Sequence, residues 1–111
     1  MARNLAATIR DGAPVFAALG DPIRLRILAR LSTGGPLSIA QLTDGETVTR
    51  QAITKHLETL AAAGLVRDLR EGRERRFEVE LAPLASARTF LDQVSATWDR
   101  RLLRLKALVE D

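Results

Sequence analysis

Six side chains suited to directed hydrogen bonding lie close together in this chain: Thr49, Arg50, Gln51, Thr54, Lys55 and His56. Arginine can donate two parallel hydrogen bonds to guanine, and glutamine can pair with adenine. Threonine offers a hydroxyl and a methyl group, while lysine suits a phosphate or guanine. The chemistry that these types support is recognition through hydrogen bonds, provided that one element presents them together.

Residues for bond-making chemistry are scarce. The chain has no Cys, no Tyr and a single His, and it contains no glycine-rich phosphate loop or His spaced from a nucleophile in a recognisable way. Zinc sites normally need several nitrogen or sulfur ligands. We therefore predict no catalytic residues, no enzyme activity, no metal site and no cofactor.

Length and composition are those of one soluble globular domain. Of the 111 residues, 46% are apolar and 28% charged, and only four are aromatic, so the core must consist mostly of aliphatic side chains and favours helices. No apolar run approaches the roughly 20 residues that span a bilayer, and no signal peptide is recognisable. We expect a cytoplasmic protein that does not bind membranes.

Positive charge is concentrated in one part of the sequence. The net charge is +3 with 17 basic and 14 acidic residues, which alone is weak support for a nucleic-acid partner. Between Arg50 and Arg76, however, seven residues are basic and four acidic. The whole excess is therefore matched by that window, which includes the polar cluster.

Helix start and stop signals divide the first two thirds of the chain. Asp21 suits an N-cap before Pro22 at the first helical position. Ser38 and Gln41 have the spacing of a capping box, and this helix must be short because residues 43–45 (TDG) break it. The next helix contains the polar cluster.

That helix has two distinct sides. Thr49 fits as its N-cap and Gly64 as its C-terminal stop. An apolar stripe of Ile53, Leu57 and Leu60 faces one way, while most of the polar cluster lies opposite. His56 lies further round the helix, so it is as well suited to packing or phosphate contact as to reading a base.

Alternation then replaces the helical period. Phe77, Val79 and Leu81 are predicted to face one way in a two-stranded hairpin, with its turn at residues 71–74 (EGRE). Two strands alone are marginal, so the hairpin must lean on the helices. Its arginines Arg73, Arg75 and Arg76 either contact an outside partner or pair with glutamates 71, 74 and 78 of the hairpin.

Long helical patterns occupy both ends of the chain. A helix is predicted from Pro83 to about residue 109, and an N-terminal helical segment is expected to be interrupted or kinked around Gly12 and Pro14. The apolar stripe of the last helix is longer than one small domain can cover. We predict that these elements form a subunit interface, and that Trp98 either helps to fill it or lines a ligand pocket there. The predicted interface residues are Leu5, Ile9, Leu91, Val94, Trp98, Leu102 and Leu105.

The order of elements predicts a mainly α fold with a small β-hairpin, a winged helix-turn-helix with added N- and C-terminal dimerisation helices. We expect a single domain over residues 1–111, with a core of about 15–81 and a C-terminal helix of about 83–109. In such a fold the second helix of the motif enters the major groove of double-stranded DNA. The polar cluster would then read bases, and the hairpin arginines would contact the flanking backbone or minor groove.

Four segments, ALGDPIRLRILARL, SIAQL, TRQAITKHLETLAAAGLV and REGRERRFEV, together resemble the ArsR family of winged-helix repressors. The resemblance implies a homodimer that binds a roughly palindromic operator, usually represses nearby genes, and dimerises through its first and last helices. It also matches the family's recognition helix to Arg50, Gln51, Thr54, Lys55 and His56.

The chain departs from the metal-sensing members that it resembles. Residues 38–43 contain no Cys, and the last helix offers only acidic candidates, Asp92, Asp99, Glu110 and Asp111, without an imidazole. Metal sensing is therefore not expected, and an effector, if there is one, is unknown. The main alternative is a winged-helix module that binds an acidic protein through its basic hairpin; RNA fits less well because aromatic stacking platforms are missing.

Overall fold

The computed structural model describes residues 5–110, apart from the side chains of Leu5 and Glu71. The predicted interface role of Leu5 therefore lies outside the described side chains. Helices alternate with a small sheet in this order: α1 (Leu5–Leu19), α2 (Pro22–Gly34), β1 (Leu37–Ser38), α3 (Ile39–Thr43), α4 (Arg50–Ala62), β2 (Val66–Glu71), β3 (Glu74–Val79) and α5 (Leu81–Glu110).

Side chains cap the three central helices as the sequence predicts. The Asp21 carboxylate accepts hydrogen bonds from the first backbone N–H groups of α2. Ser38 and Gln41 form a reciprocal capping box at α3, and the Thr49 hydroxyl accepts from Ala52 N–H at the start of α4. Each cap satisfies donors that a helix end would otherwise leave unpaired, which fixes where the helix begins.

The sheet has three strands, so the predicted two-stranded hairpin was incomplete. Its order is β1-β3-β2, all antiparallel, with Leu37 opposite Phe77 and Ser38 opposite Arg76. A strand of two residues is too short to show a period in the sequence. It ties the start of α3 to the hairpin, which adds the support that two strands lack.

The hairpin turn lies where it was predicted. Glu71 pairs with Glu74 across a two-residue loop, and Gly72 has a φ of 61°, a left-handed conformation that such tight turns require and glycine adopts without strain. Phe77 is 2% exposed. The assignment of Leu81 to the same strand was wrong, because Leu81 begins α5 and is 71% exposed.

The N-terminal helix is continuous, so the predicted interruption is wrong, while the alternative of a kink around Gly12 and Pro14 stays a prediction. α1 runs through Gly12 and Pro14. A proline inside a helix removes one backbone hydrogen bond, and packing compensates. Val15 and Ala18 of α1 are buried, and the ring of Phe16 meets that of Phe90 edge-on, with centroids 5.6 Å apart.

The core forms where α4, α2 and the sheet meet. Ile53, Leu57 and Leu60 are all 0% exposed, and Leu42 and Phe77 join them in the same cluster. The apolar stripe predicted for α4 is therefore confirmed as its inner side. Burying such side chains stabilises the fold by roughly 1.5–3 kcal/mol each.

Helix α5 begins two residues before the predicted Pro83 and extends well beyond the core. Leu84, Ala87 and Phe90 face α1 and the core, and Ala87 is buried. From Leu91 to Glu110 every side chain is exposed. Among the described residues, no helix has both the length and the apolar character needed to cross a membrane.

Candidate nucleic-acid interface

The outer side of α4 presents most of the predicted polar cluster to solvent. Arg50, Gln51 and Lys55 are exposed, and within the described residues their side chains have no hydrogen-bond or ion-pair partner. The opposite side of the same turns is fully buried at Ile53. The helix therefore holds three unengaged polar side chains on a rigid support, and their donors remain available to a partner.

The two threonines of the cluster are already engaged in the helix. The Thr49 hydroxyl accepts from Ala52 N–H at 3.1 Å, and the Thr54 hydroxyl donates to the Arg50 carbonyl at 2.8 Å. With its proton committed, Thr54 can offer an outside partner its oxygen lone pairs and its methyl group. Thr49 instead acts on the position of the helix end.

His56 faces α2 rather than the exposed side of α4. Its Nδ1 is 3.2 Å from Nη1 of Arg24 and 4.0 Å from Oδ1 of Asp21, and its side chain is 20% exposed. The backbone N–H of Arg24 donates a hydrogen bond that holds the pKa of Asp21 below its usual value, with smaller contributions from the backbone N–H of Ile23 and the nearby charges. The structure thus separates His56 from the other five residues of the predicted cluster.

Two arginines of α2 hold the connection between α3 and α4. Arg30 donates to the carbonyls of Leu42 at 2.9 Å and Gln41 at 2.7 Å, at the end of α3. Arg26 forms a two-pronged pair with Glu46, at 3.1 and 3.0 Å. The Arg26 guanidinium in turn keeps the pKa of the Glu46 carboxyl below its usual value.

Sequence reasoning missed both of these arginines. Their one available signal is the spacing of four between Arg26 and Arg30, which puts them on one face of α2. They bond the end of α3 and the loop before α4 to the same helix, which restrains the connection between the two helices of the motif.

The hairpin arginines differ from one another. Arg73 is exposed in the turn and has no partner among the described residues. Arg75 pairs with Asp68 at 2.9 Å and lies over the Phe77 ring at 5.2 Å. Arg76 pairs with Glu74 at 3.2 Å. Pairing with a glutamate of the hairpin, one of the two interpretations of the sequence, therefore describes Arg76, while Arg75 pairs with an aspartate of β2. For Arg73 the choice between the two interpretations stays open, because the side chain of Glu71 is not described.

The predicted subunit interface is an exposed apolar stripe. Its residues on α5 are 41–57% exposed, and Ile9 on α1 is 50% exposed. Arg101 lies 5.8 Å from the Trp98 ring centroid, which leaves much of that ring uncovered. The predicted interface residues with described side chains are all exposed, and those on α5 follow one another at helical spacing: Ile9, Leu91, Val94, Trp98, Leu102 and Leu105.

A cavity of about 800 Å³ lies between α1 and α5. Phe16 and Phe90 form part of its wall, and Ala63 at the end of α4 also reaches it. No group of His, Cys, Asp and Glu that could hold a metal ion occurs in residues 5–110. The absence of a metal site in the whole chain stays a prediction, since Asp111 lies outside the described part.

This arrangement defines a winged helix-turn-helix: α3 and α4 form the motif and β2–β3 the wing. The family model described as a helix-turn-helix domain matches residues 19–68. The HTH-type transcriptional regulator Rv2034 of Mycobacterium tuberculosis is 34% identical over 104 residues, 94% of each chain. An ArsR-like transcriptional regulator from Rhodococcus sp. RHA1 has a structure with TM-score 0.84 and 39% identity, covering 96% of this chain and 97% of that one.

The chain belongs to the ArsR family of winged helix-turn-helix transcriptional regulators, which confirms the family resemblance and the predicted fold class. A further structural relative is a fragment of Mb0332 from Mycobacterium bovis, described as a homodimeric winged helix-turn-helix DNA-binding domain. It is 28% identical, with a TM-score of 0.64, and the match covers 87% of this chain and 88% of that one.

Proposed function

We propose that this protein is a sequence-specific repressor that binds a palindromic operator as a homodimer. The observation that carries the proposal is the pair of sides of α4, one fully buried and one holding unengaged Arg, Gln and Lys side chains. The N-terminal residues of a recognition helix are the ones that reach base edges. In α4 these residues are Arg50 and Gln51, with Thr54 and Lys55 one turn later.

We assign different tasks to the helix and the wing. Gln51 and Thr54 read bases, and Lys55 contacts a phosphate or guanine. Arg50 either reads a base or contacts the backbone, because it lies at the edge of the exposed side of α4. Arg73 contacts the DNA backbone or minor groove at the tip of the wing. Arg75 and Arg76 lie beside it, and their existing ion pairs restrain them.

The dimer proposal rests on the exposed apolar stripe of α5. A second copy placed by a two-fold axis would cover the same residues on both subunits, which is the commonest arrangement of soluble oligomers. The homodimeric relative from Mycobacterium bovis supports this proposal. A two-fold dimer presents two α4 helices related by symmetry, which is why we propose a palindromic operator.

Four further proposals concern location, activity, a ligand site and domain organisation. The protein acts on chromosomal DNA in the cytoplasm and has no enzyme activity. The cavity between α1 and α5 is where an effector of unknown identity would bind, because it is concave, partly aromatic and within the size range of small-molecule sites. The domain is a single unit over residues 1–111.

The test begins with selection of genomic DNA fragments by the purified protein. Gln51→Ala and Thr54→Ala should then lower the preference for the selected operator over bulk DNA by roughly 1–3 kcal/mol. Thr59→Ala is a matched control, since the Thr59 hydroxyl makes the same bond five residues further on, to the Lys55 carbonyl at 3.2 Å. If Gln51→Ala and Thr54→Ala both kept the wild-type preference for the operator over bulk DNA, the alternative function, binding of an acidic protein, would be favoured.

A further inference from the structure

Arg24 lies where three helices meet. Its Nε donates to the Ala18 carbonyl at 2.6 Å and its Nη2 to the Ala17 carbonyl at 3.4 Å, both in the last turn of α1. Its Nη1 is 3.2 Å from Nδ1 of His56. One guanidinium from α2 therefore joins the end of α1 to the helix that carries the polar face.

The geometry sets the protonation state in which this junction holds. An arginine can only donate, so Nδ1 of His56 must accept, and the imidazole is neutral with its proton on Nε2. The charged groups that face the ring in the described structure are Arg24 and Asp21, both at the start of α2. The two α1 carbonyls contact Arg24.

Asp21 competes for the same ring nitrogen. Its Oδ1 is 4.0 Å from Nδ1 of His56 and already accepts the N–H groups of Ile23 at 2.8 Å and Arg24 at 3.0 Å. A protonated His56 turns Nδ1 into a donor, which is attracted to Asp21 and can no longer accept from Arg24. Nδ1 must therefore be unprotonated to accept from Arg24 and protonated to donate to Asp21, so it cannot do both at once.

We propose that His56 is a positioning residue and not a base reader: in its neutral form it fixes α4 against α1 through Arg24. The proposal rests on the DNA-binding function proposed above. Because α1 belongs to the proposed dimer face, this junction sets the orientation of each recognition helix relative to its symmetry mate. Loss of this contact should weaken operator binding, because it frees α4 from the end of α1.

The first experiment needs no DNA and so is independent of the proposed function. His56 is the only His in the chain, so its ¹⁵N imidazole signals are assigned without further labelling. We expect the neutral Nε2–H tautomer, because Nδ1 accepts from Arg24, and Arg24→Gln should shift the Nδ1 signal. An Nδ1–H tautomer, or imidazole ¹⁵N signals that do not change in Arg24→Gln, would overturn the proposal.

The second experiment uses two amide substitutions. His56→Asn places a carbonyl oxygen near the position of Nδ1, whereas His56→Gln places it near that of Nε2. At pH about 8, His56→Gln should lower operator affinity about threefold to tenfold, the factor expected for one hydrogen bond. Arg24→Gln should lower it at least as much, because Arg24 also donates to the Ala17 and Ala18 carbonyls. His56→Asn should bind like the wild type, and the double variant Arg24→Gln/His56→Gln should be no weaker than Arg24→Gln alone. A His56→Asn variant that binds as weakly as His56→Gln would overturn the proposal.

Discussion

Arg73→Ala tests the wing with little disturbance to the fold. Arg73 is exposed in the β2–β3 turn, with no ion pair or hydrogen bond among the described residues. Its removal should therefore leave the free energy of unfolding within about 0.5 kcal/mol of wild type, as for most surface changes. Any loss of DNA affinity then reports a contact with DNA and not a damaged domain.

The size of the effect follows from counterion release. Each phosphate contact contributes about 0.9 to the slope of log affinity against log salt, so a homodimer that loses two contacts should have a slope shallower by about 1.8. Between 50 and 200 mM salt, a fourfold change, the variant should lose about 12-fold less affinity than the wild type. Operator and unrelated DNA should show the same change, because a phosphate contact carries no sequence information.

Fluorescence anisotropy titrations at several salt concentrations measure this slope. Arg88→Ala is the matched control, because it removes the same charge from an exposed position on α5. Arg75→Ala is a poorer probe, since it also leaves Asp68 unpaired and uncovers the Phe77 ring. A slope for Arg73→Ala equal to that of the wild type would refute the contact.

Three further predictions concern the fold and its assembly. Ile53→Ala removes a fully buried side chain and should cost roughly 2–5 kcal/mol in denaturant unfolding; a smaller loss would contradict the packing described. Trp98→Glu should give monomers in sedimentation at micromolar concentration, whereas dimers would show that the stripe is not the interface. The lowered pKa values of Asp21 and Glu46 mean that their stabilisation is present near neutral pH and is lost as pH falls below about 4, so a melting temperature that stays constant there would contradict it.

Elements that depend on neighbours in sequence could be predicted. Caps at Asp21, Ser38 and Thr49 use side chains within three residues of the groups that they satisfy, so the sequence shows them directly. The buried side of α4 followed from a regular period. The exposed positions of Arg50, Gln51 and Lys55 followed from the same period.

Features that depend on distant partners could not be predicted. β1 pairs residues 37 and 77, and Arg24 meets a His from a helix 32 positions further on. Nothing local distinguishes such an arginine from one in solvent. Leu81 continued the alternating pattern of the strand, but the chain had already turned into α5, where periodicity of two has no meaning.

The arginines of α2 have a consequence for how this sequence can drift in evolution. Arg24, Arg26 and Arg30 each use two or more nitrogens on groups from other elements, and the single ammonium of lysine cannot reproduce that fork. The phosphate contact proposed for Arg73 should tolerate lysine far better, because charge is most of what such a contact supplies. An exchange of arginine for lysine, which leaves the net charge unchanged, should thus have little effect at Arg73 but should weaken the contacts that α2 makes with other elements.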